Sequence, residues 1–254
     1  MKKLQLSLED YELCNKLKRM RFSGMAEALE NVFADPNADL LPFRDKVQRI
    51  IDAEWNLRYT KKLNRFIKQA TLKYPSADLD DTIYDPERML DTHVIEELSK
   101  CDWISSGRNL IITGRSSSGK SYLANALCIC ALKQFKTARY IKASELISDL
   151  SKAEKLETSR ETLNGFASYD LLAVDDFGLM NLDLDMCRNL FEVFDSRDPH
   201  KSVLVVSQFP VASWYDLFQE HTYAEACLSR LLHNAYRLEM NGKNMRNIEA
   251  INNK

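Results

Sequence analysis

The sequence has few cysteines and histidines, the residues that form disulfides in small secreted proteins or bind zinc. Its 254 residues include six Cys and four His, and no two cysteines form a Cys-x-x-Cys pair. Disulfide frameworks and zinc ribbons depend on such regular spacings. We therefore predict reduced thiols, most of them packed in the core, and a cytoplasmic protein.

Long apolar runs and an excess of positive charge are also missing. No apolar stretch reaches the ~18 residues that a membrane-spanning helix needs. Residues 1–5 are not followed by the apolar segment of a signal peptide. The formal net charge is −2, which excludes a uniformly basic nucleic-acid-binding protein. We predict no membrane association, and any basic surface must be local.

One glycine-containing stretch carries a specific chemistry. Residues 114–121 read Gly-Arg-Ser-Ser-Ser-Gly-Lys-Ser, which is the P-loop pattern that turns backbone N–H groups and a helix N-terminus towards phosphates. Residues 109–113 before it predict a buried strand, and residues 122–133 after it predict a helix. Lys120 is expected to reach the β- and γ-phosphates, and Ser121 to ligate Mg²⁺. The predicted ATP-binding residues are Gly114, Arg115, Ser116, Ser117, Ser118, Gly119, Lys120, Ser121 and Tyr122.

An acidic motif is expected to complete the nucleotide site. Residues 171–176 read Leu-Leu-Ala-Val-Asp-Asp, an apolar strand that ends in two acids. Asp175 is predicted to join Ser121 in the Mg²⁺ shell, and Asp176 to orient and deprotonate the attacking water. A small-molecule kinase would not need the second acid, because its substrate supplies the nucleophile. The alternative is an acidic pair at a strand end without a catalytic role.

Gln208 follows a strand predicted over residues 201–206. In a sheet of this kind, that strand lies between the P-loop strand and the strand of Asp175. Its end therefore points between the γ-phosphate and the attacking water, and Gln208 is a candidate sensor that hydrogen-bonds one of them. The alternative is an ordinary polar residue at a strand end.

The order of the predicted elements indicates two domains joined by a linker. Residues 1–76 are predicted to form a small all-helical N-terminal domain, and residues 77–100 an acidic linker with a lead-in helix. Over residues 101–254, strands alternate with helices, which is typical of an α/β fold with a parallel sheet between helices. The predicted strands are 109–113, 138–142, 169–174, 201–206 and 236–240, and the helices between and after them are 122–133, 143–159, 185–196 and most of the chain from 210.

The segment just before the first strand offers a place for a nucleotide base. Residues 101–108 read Cys-Asp-Trp-Ile-Ser-Ser-Gly-Arg. An adenine ring can rest on Trp103 or Ile104, and Trp103 is equally expected as a core residue.

A basic stripe runs along the helix predicted over residues 42–72. Between Arg44 and Lys73 there are nine Lys and Arg against three Asp and Glu. A stripe of this kind can lie along a phosphate backbone, or it can be a solvated helix face. The candidate DNA-binding residues, which wind onto one face of the helix, are Arg58, Lys61, Lys62, Arg65 and Lys68, and the apolar residues Tyr59, Leu63, Phe66, Ile67 and Ala70 fall on the other side.

A set of motifs runs in order from the N-terminal helices to the last residues. They comprise Gly-Met-Ala-Glu-Ala-Leu at 24–29, Trp103-Ile104, Gly-Lys-Ser-Tyr-Leu-Ala at 119–124, residues 171–178, Ser-Gln-Phe-Pro at 207–210 with Trp214, Ser-Arg-Leu-Leu-His-Asn-Ala-Tyr-Arg at 229–237, and Asn-Gly-Lys-Asn-Met-Arg at 241–246. Together they resemble the IstB family, the AAA+ ATPase helpers of insertion-sequence transposition, which are related to the helicase loader DnaC. The later motifs are more specific than the P-loop, which any NTPase can carry.

The resemblance implies an AAA+ P-loop NTPase core behind the helical N-terminal domain. It also implies an ATP hydrolase that assembles with ATP into a homo-oligomeric ring or helix on duplex DNA and hands target DNA to a cognate transposase. Such ATPases share active sites between subunits. Arg230 matches the position from which an arginine finger reaches the neighbouring subunit's γ-phosphate, and the alternative is a surface salt-bridge arginine.

Three features depart from the usual pattern of such ATPases. Ser117 replaces a glycine that is frequent in this family's loop, and Ser229 replaces an acid that usually precedes the finger. Only about fourteen residues follow Met240, so we expect no C-terminal helical lid.

Three rival functions share parts of this sequence pattern. A helicase loader of the DnaC type would use the same ATPase on a different client, and the motif at 207–210 favours the transposition branch. A scaffold that binds ATP only to assemble would not need Asp176. A P-loop kinase would transfer phosphate to an acceptor rather than to water.

Overall fold

A computed structural model describes residues 6–84, 86–241 and 245 of the chain. The chain divides into two compact units, Met1–Arg65 and Phe66–Lys254. The division falls within one long helix, Phe43–Ala70, whereas the sequence places a boundary after residue 76. Asp85 lies outside the described residues. So do most of the motif at 241–246 and most of the chain after Met240, where we expect no helical lid.

The N-terminal unit is helical, as predicted. It contains α1 (Leu8–Arg19), α2 (Ser23–Ala34), a 3₁₀ turn (Ala38–Leu40) and the first part of α3 (Phe43–Ala70). A capping box begins α1: Ser7 Oγ accepts from the Asp10 N–H at 3.1 Å, and the Asp10 carboxylate accepts from the Ser7 N–H at 3.2 Å. Two of the four orphan N–H groups at this helix end are thereby satisfied.

A buried carboxylate joins α2 to α3. No side chain of α2 caps its own N-terminus. Glu54 of α3, which is buried, accepts hydrogen bonds from the N–H groups of Gly24 and Met25 at 2.7 and 3.2 Å and from Arg58 Nε at 2.6 Å. A Cβ at Gly24 would stand 2.8 Å from the carbonyl oxygen of Ala53. Glycine therefore lets the two backbones approach closely enough for Glu54 to act as the cap.

The second unit is built on a five-stranded parallel sheet. The strands are β1 (Leu110–Gly114), β2 (Ala138–Lys142), β3 (Leu171–Phe177), β4 (Ser202–Ser207) and β5 (Tyr236–Met240), in the spatial order β2-β3-β4-β1-β5. The prediction that β4 lies between the P-loop strand and the strand of Asp175 is confirmed. The α-helices are α4 (Thr92–Ser99), α5 (Asp102–Ser105), α6 (Lys120–Lys133), α7 (Ala143–Lys155), α8 (Ser159–Ser168), α9 (Leu184–Asp195) and α10 (His221–Leu232).

The structure corrects three predicted elements. The helix predicted over 143–159 ends at Lys155, and a second helix follows a turn in which Glu157 adopts a left-handed backbone (φ 58°). The strand predicted over 169–174 runs from Leu171 to Phe177, so both acids belong to it. The chain after residue 210 first makes two 3₁₀ turns, Val211–Ser213 and Tyr215–Leu217, and becomes α-helical only at α10.

All six cysteines are free thiols, and five of them are buried. Burial raises the pKa of Cys101 and of Cys227 to about 12, so these thiols stay protonated at neutral pH. Within residues 6–84, 86–241 and 245, no helix is both long enough and apolar enough to cross a bilayer.

Replacing the buried carboxylate tests how the N-terminal unit is held together. We expect Glu54→Ala to lower the free energy of unfolding by about 2–3 kcal/mol, because two N–H groups lose a charged acceptor. The Arg58 hydrogen bond holds the pKa of Glu54 below its usual value. The stabilisation is therefore complete above the unfolded pKa of about 4.3 and fades as the pH falls through the lower folded value.

Urea unfolding followed by circular dichroism at pH 7 and pH 3 measures this difference. Glu27, an exposed glutamate of α2, provides the control, and Glu27→Ala should change stability by less than about 0.5 kcal/mol. An equal change in the two variants at pH 7 would contradict the role of Glu54 as the cap of α2.

Candidate nucleotide-binding site

The predicted P-loop lies where the sheet meets a helix N-terminus. Residues 115–119 connect the end of β1 to α6, which begins at Lys120 after Gly119 in a left-handed conformation (φ 91°). Ser117 also adopts a left-handed backbone (φ 64°). A residue with a Cβ adopts that conformation at a cost of roughly 1 kcal/mol or more, whereas glycine adopts it without steric strain.

Lys120 places its ammonium group inside the curve of the loop. Its Nζ donates hydrogen bonds to the carbonyl oxygens of Gly114 and Arg115 at 2.7 and 2.6 Å. Burial lowers the pKa of Lys120, and the charges of Asp175 and Asp176 oppose that shift. The cation is thus enclosed by the loop and faces the two predicted acids.

Other contacts fix the loop from outside, and sequence reasoning did not find them. Arg88 is buried, and its guanidinium donates to Ser118 O at 3.0 Å, while the Met245 N–H donates to Ser117 O at 2.9 Å. The hydroxyl of Ser118 is buried and has no hydrogen-bond partner among the described residues. A loop that encloses a cation and an unsatisfied hydroxyl fits an anion such as a phosphate group.

The two acids occupy an irregular part of β3. Pairing of β3 with β4 shifts register between Val174 and Phe177, and Asp176 between them has a left-handed backbone (φ 57°). A bulge of this kind re-aims side chains at a strand end. Asp175 and Asp176 therefore both reach the cavity beside the P-loop although they are adjacent in a strand.

A tyrosine that the sequence did not single out holds Asp175 in place. Asp175 is 1% exposed; it accepts one hydrogen bond from the Tyr140 hydroxyl and another from the Asp176 N–H at 2.8 Å. Burial, together with the charge of Asp175, raises the pKa of Tyr140. The phenol therefore stays protonated and acts as a donor. The only local signal was a tyrosine in the strand beside β3.

Ser207 shapes the end of β4. Its Oγ donates to Phe177 O at 2.6 Å and accepts from the Phe209 N–H at 3.0 Å. These two hydrogen bonds fix the backbone on either side of Gln208, which is exposed at the mouth of the site.

One cavity contains most of the predicted catalytic residues and one lysine that was not predicted. Its lining is Lys73, Ser116, Ser117, Lys120, Ser121, Asp175, Asp176, Val206, Ser207 and Gln208.

Arg230 does not belong to this cluster. Asn109, at the amino end of β1, donates to the carbonyl oxygens of Arg230 and Leu231 at 2.8 and 3.2 Å. Arg230 therefore lies by the amino-terminal edge of the sheet, whereas the P-loop lies at the other edge. Its guanidinium pairs with Asp195 (Nε to Oδ1, 2.7 Å) and stacks on the Phe191 ring, with Cζ 4.6 Å from the ring centroid.

Trp103 is a core residue at the same amino-terminal edge. It is 4% exposed, its Nε1 donates to Leu98 O at 3.0 Å, and its carbonyl oxygen lies near the hydroxyl of Ser202 at the start of β4. Of the two interpretations left open for Trp103, the structure supports the core.

The basic stripe is exposed along α3, and the apolar residues on the other side of the helix are half-buried or buried, so the predicted two-sided pattern is confirmed. Arg58 has internal contacts besides Glu54: its guanidinium donates to Arg21 O at 3.2 Å and lies over the Phe22 ring with Cζ 5.0 Å from the centroid. Arg58 therefore also has a structural role. The five stripe residues Arg58, Lys61, Lys62, Arg65 and Lys68 are all exposed.

The family model and the similar proteins of known sequence all indicate one family. The family model described as IstB-like ATP binding protein matches residues 15–252. An insertion sequence ATP-binding protein of Sinorhizobium fredii (y4uH) is 33% identical over 234 residues, which is 92% of this chain and 94% of the relative. The IS1162 ATP-binding protein of Pseudomonas fluorescens is 36% identical over 196 residues, covering 77% of this chain and 85% of the relative.

Solved structures share the fold at lower identity. The DnaC helicase loader superposes with a TM-score of 0.56 at 18% identity, over 66% of this chain and 98% of the loader. AMPPCP-bound DnaA from Aquifex aeolicus gives a TM-score of 0.58 at 21% identity, over 72% of this chain and 55% of DnaA. The second unit thus has an AAA+ P-loop fold, preceded by a helical N-terminal region. The chain is a member of the IstB-like ATP binding protein family.

Proposed function

We propose that this protein hydrolyses ATP with Mg²⁺ and acts as a DNA-binding helper of insertion-sequence transposition. One observation carries the ATPase proposal: Lys120, Ser121, Asp175, Asp176 and Gln208 line a single cavity at the carboxyl edge of the sheet. That set combines a phosphate-binding loop, a pair of Mg²⁺ ligands and an acid beside them. Transfer of a phosphoryl group to water requires these three components.

Mg²⁺ would be held jointly by protein and nucleotide. Among the described residues, no group of three or more His, Cys, Asp or Glu could hold a metal ion by itself. Ser121 and Asp175 supply oxygen ligands of the kind that Mg²⁺ prefers, and phosphate oxygens would complete the shell. The ion would neutralise charge that develops on the phosphates. Tyr140 keeps the Asp175 carboxylate oriented towards that shell.

Hydrolysis assigns distinct tasks to the remaining residues. Lys120 binds the β- and γ-phosphates. Asp176 accepts a proton from the attacking water. The γ-phosphoryl group is thereby transferred to the water oxygen, and ADP is released. Gln208 hydrogen-bonds the water or the γ-phosphate. The nucleotide-contacting backbone is the loop from Gly114 to Tyr122.

Arg230 would complete the site of another subunit. Its position near the amino end of β1 separates it from the P-loop of its own chain by about the length of a five-residue strand, roughly 15 Å. An arginine that stabilises transition-state charge must touch the γ-phosphate. We therefore assign Arg230 to a neighbouring copy in an ATP-dependent ring or helical homo-oligomer.

Duplex DNA and a cognate transposase are the proposed partners. The exposed stripe on α3 gives a local basic surface on a chain of net charge −2. The relatives named as insertion sequence ATP-binding proteins support the transposition role over a helicase loader of the DnaC type, which shares the fold at 18% identity. Co-purification with the transposase encoded by the same element, against a replicative helicase, distinguishes the two.

Changing the proposed base tests the hydrolysis step. Asp176→Asn should keep ATP binding and lower phosphate release at least ~10²-fold, because an amide cannot accept the proton of water. Lys120→Ala should abolish nucleotide binding. Asp216→Asn, at an exposed aspartate outside the cavity, is the control and should hydrolyse ATP normally. Turnover by Asp176→Asn at the wild-type rate would remove Asp176 from the mechanism.

Mixing variants tests whether Arg230 acts between subunits. Arg230→Ala and Arg230→Lys should bind ATP nearly as well as wild type and lose ~10³-fold or more in hydrolysis, because lysine lacks the planar fork of arginine. Adding the Lys120→Ala protein should restore part of the activity. Arg188→Ala, at an exposed ion-paired arginine of α9, is the control. Absence of rescue at every mixing ratio would show that Arg230 does not act in trans.

The salt dependence of DNA binding tests the stripe. Replacing Lys61, Lys62 and Arg65 by Ala should reduce the slope of log K against log salt by ~2–3, since each lost phosphate contact removes about 0.9. ATPase activity without DNA should not change. A second candidate DNA surface is formed by three exposed basic residues of α7 and α8, and the comparison variant replaces these by Ala: Lys152, Lys155 and Arg160. If only that comparison variant lowers the slope, the DNA site lies in the second unit.

A further inference from the structure

The chain that follows α3 is fastened to the nucleotide-binding half of the second unit. Thr71 Oγ1 donates a hydrogen bond to Tyr140 O at 2.8 Å, and the Tyr74 N–H donates to Asn125 Oδ1 at 3.2 Å. Asn125 is fully buried on α6. These bonds fix the backbone on both sides of residue 73 against β2 and α6.

Apolar and polar contacts continue the attachment along the same segment, residues 71–79, which we name the anchored segment. Ala77 is 2% exposed and packs with Ala126 and Ile129 of α6. The Asp78 N–H donates to the Tyr122 hydroxyl at 3.2 Å. The sequence had divided this stretch between the end of a helix and a linker, and here it forms part of the wall around the P-loop helix.

Lys73 projects from the anchored segment to the phosphate side of the site. Its side chain lines the cavity that contains Lys120, Asp175, Asp176 and Gln208, and also an adjoining cavity beside the loop. Lys73 is exposed, and its ammonium lies 5.4 Å from the centroid of the Tyr74 ring. No step of the proposed hydrolysis uses this cation, although it lines the same cavity as Asp176.

The position of Lys73 has a consequence for which nucleotide is favoured. Lys120 sits inside the loop and serves the β- and γ-phosphates, whereas Asp176 and Gln208 mark the side of the cavity at which the γ-phosphate and water would lie. Lys73 lines the same cavity as Asp176 and Gln208. A second ammonium within reach of the terminal phosphate gains more from ATP than from ADP, because only ATP carries those charges.

We propose that Lys73 binds the γ-phosphate and makes the site prefer ATP over ADP, an inference that rests on the proposed ATP-binding function. Since the anchored segment holds the lysine, the interaction needs little ordering of backbone. A cation–phosphate hydrogen bond would strengthen ATP binding about tenfold or more and leave ADP binding nearly unchanged.

Calorimetric titration of the full-length protein with Mg²⁺-AMPPCP and Mg²⁺-ADP tests the proposal. Lys73→Met should weaken AMPPCP binding at least ~10-fold and ADP binding less than ~2-fold, and Lys73→Arg should recover most of the AMPPCP affinity. Lys100→Met removes an exposed lysine outside both cavities and should change neither affinity. Circular dichroism and thermal unfolding of each variant should match wild type.

The possible results separate this inference from the proposed function. If Lys73→Met weakens the binding of both nucleotides equally, or of neither, Lys73 does not recognise the γ-phosphate. If Lys73→Arg fails to recover AMPPCP binding while Lys73→Met keeps its fold, the proposal is likewise overturned. If the wild-type protein binds neither nucleotide, the proposed ATPase function itself fails, independently of Lys73.

Discussion

Parallel strand pairing is the constraint on which the nucleotide site depends. Because all five strands run in one direction, their carboxyl ends share an edge of the sheet, and β4 separates the P-loop strand from the strand of Asp175. Neighbouring strands lie about 4.8 Å apart, so the loop and the acid stand about 10 Å from each other. Ser207 ties the ends of β3 and β4 together, and Tyr140 on β2 holds the carboxylate of Asp175. β3 and β4 thus line one cavity together with the loop that follows β1, and β2 supports it through Tyr140.

Much of this arrangement could be predicted because its signals are local. The strands at 138–142 and 236–240 are found at their predicted limits, and the P-loop and the Asp175-Asp176 pair lie where strand, loop and helix patterns placed them. The bulge could not be predicted, since it arises from the register of β3 against β4 and leaves Asp176 in a left-handed conformation. The split of the helix after Lys155 also has no strong sequence signal, because neither glycine nor proline marks the turn.

Residues that support the site through long-range contacts were missed for a different reason. Arg88 reaches the P-loop from 30 positions away along the chain, and Tyr140 reaches Asp175 from 35. Each belongs to a segment whose local pattern indicates only a turn or a strand. Lys73 was counted among the basic residues of the preceding helix, and only the packing of residues 71–79 on α6 separates it from that group. Such roles depend on tertiary packing, which a single sequence does not encode locally.

The distribution of cations around the site has a consequence for assembly. The cavity that contains Asp175 and Asp176 is lined by the cations of Lys73 and Lys120, and no arginine contributes to its described lining. Phosphoryl transfer spreads negative charge over the γ-oxygens, and an arginine with several donors stabilises that charge better than lysine alone. Arg230 lies towards the opposite edge of the sheet and is paired with Asp195. Among the described residues, the lining thus has cations that can bind phosphates but no arginine. Under the proposed function, association of subunits would supply it and would make hydrolysis depend on assembly.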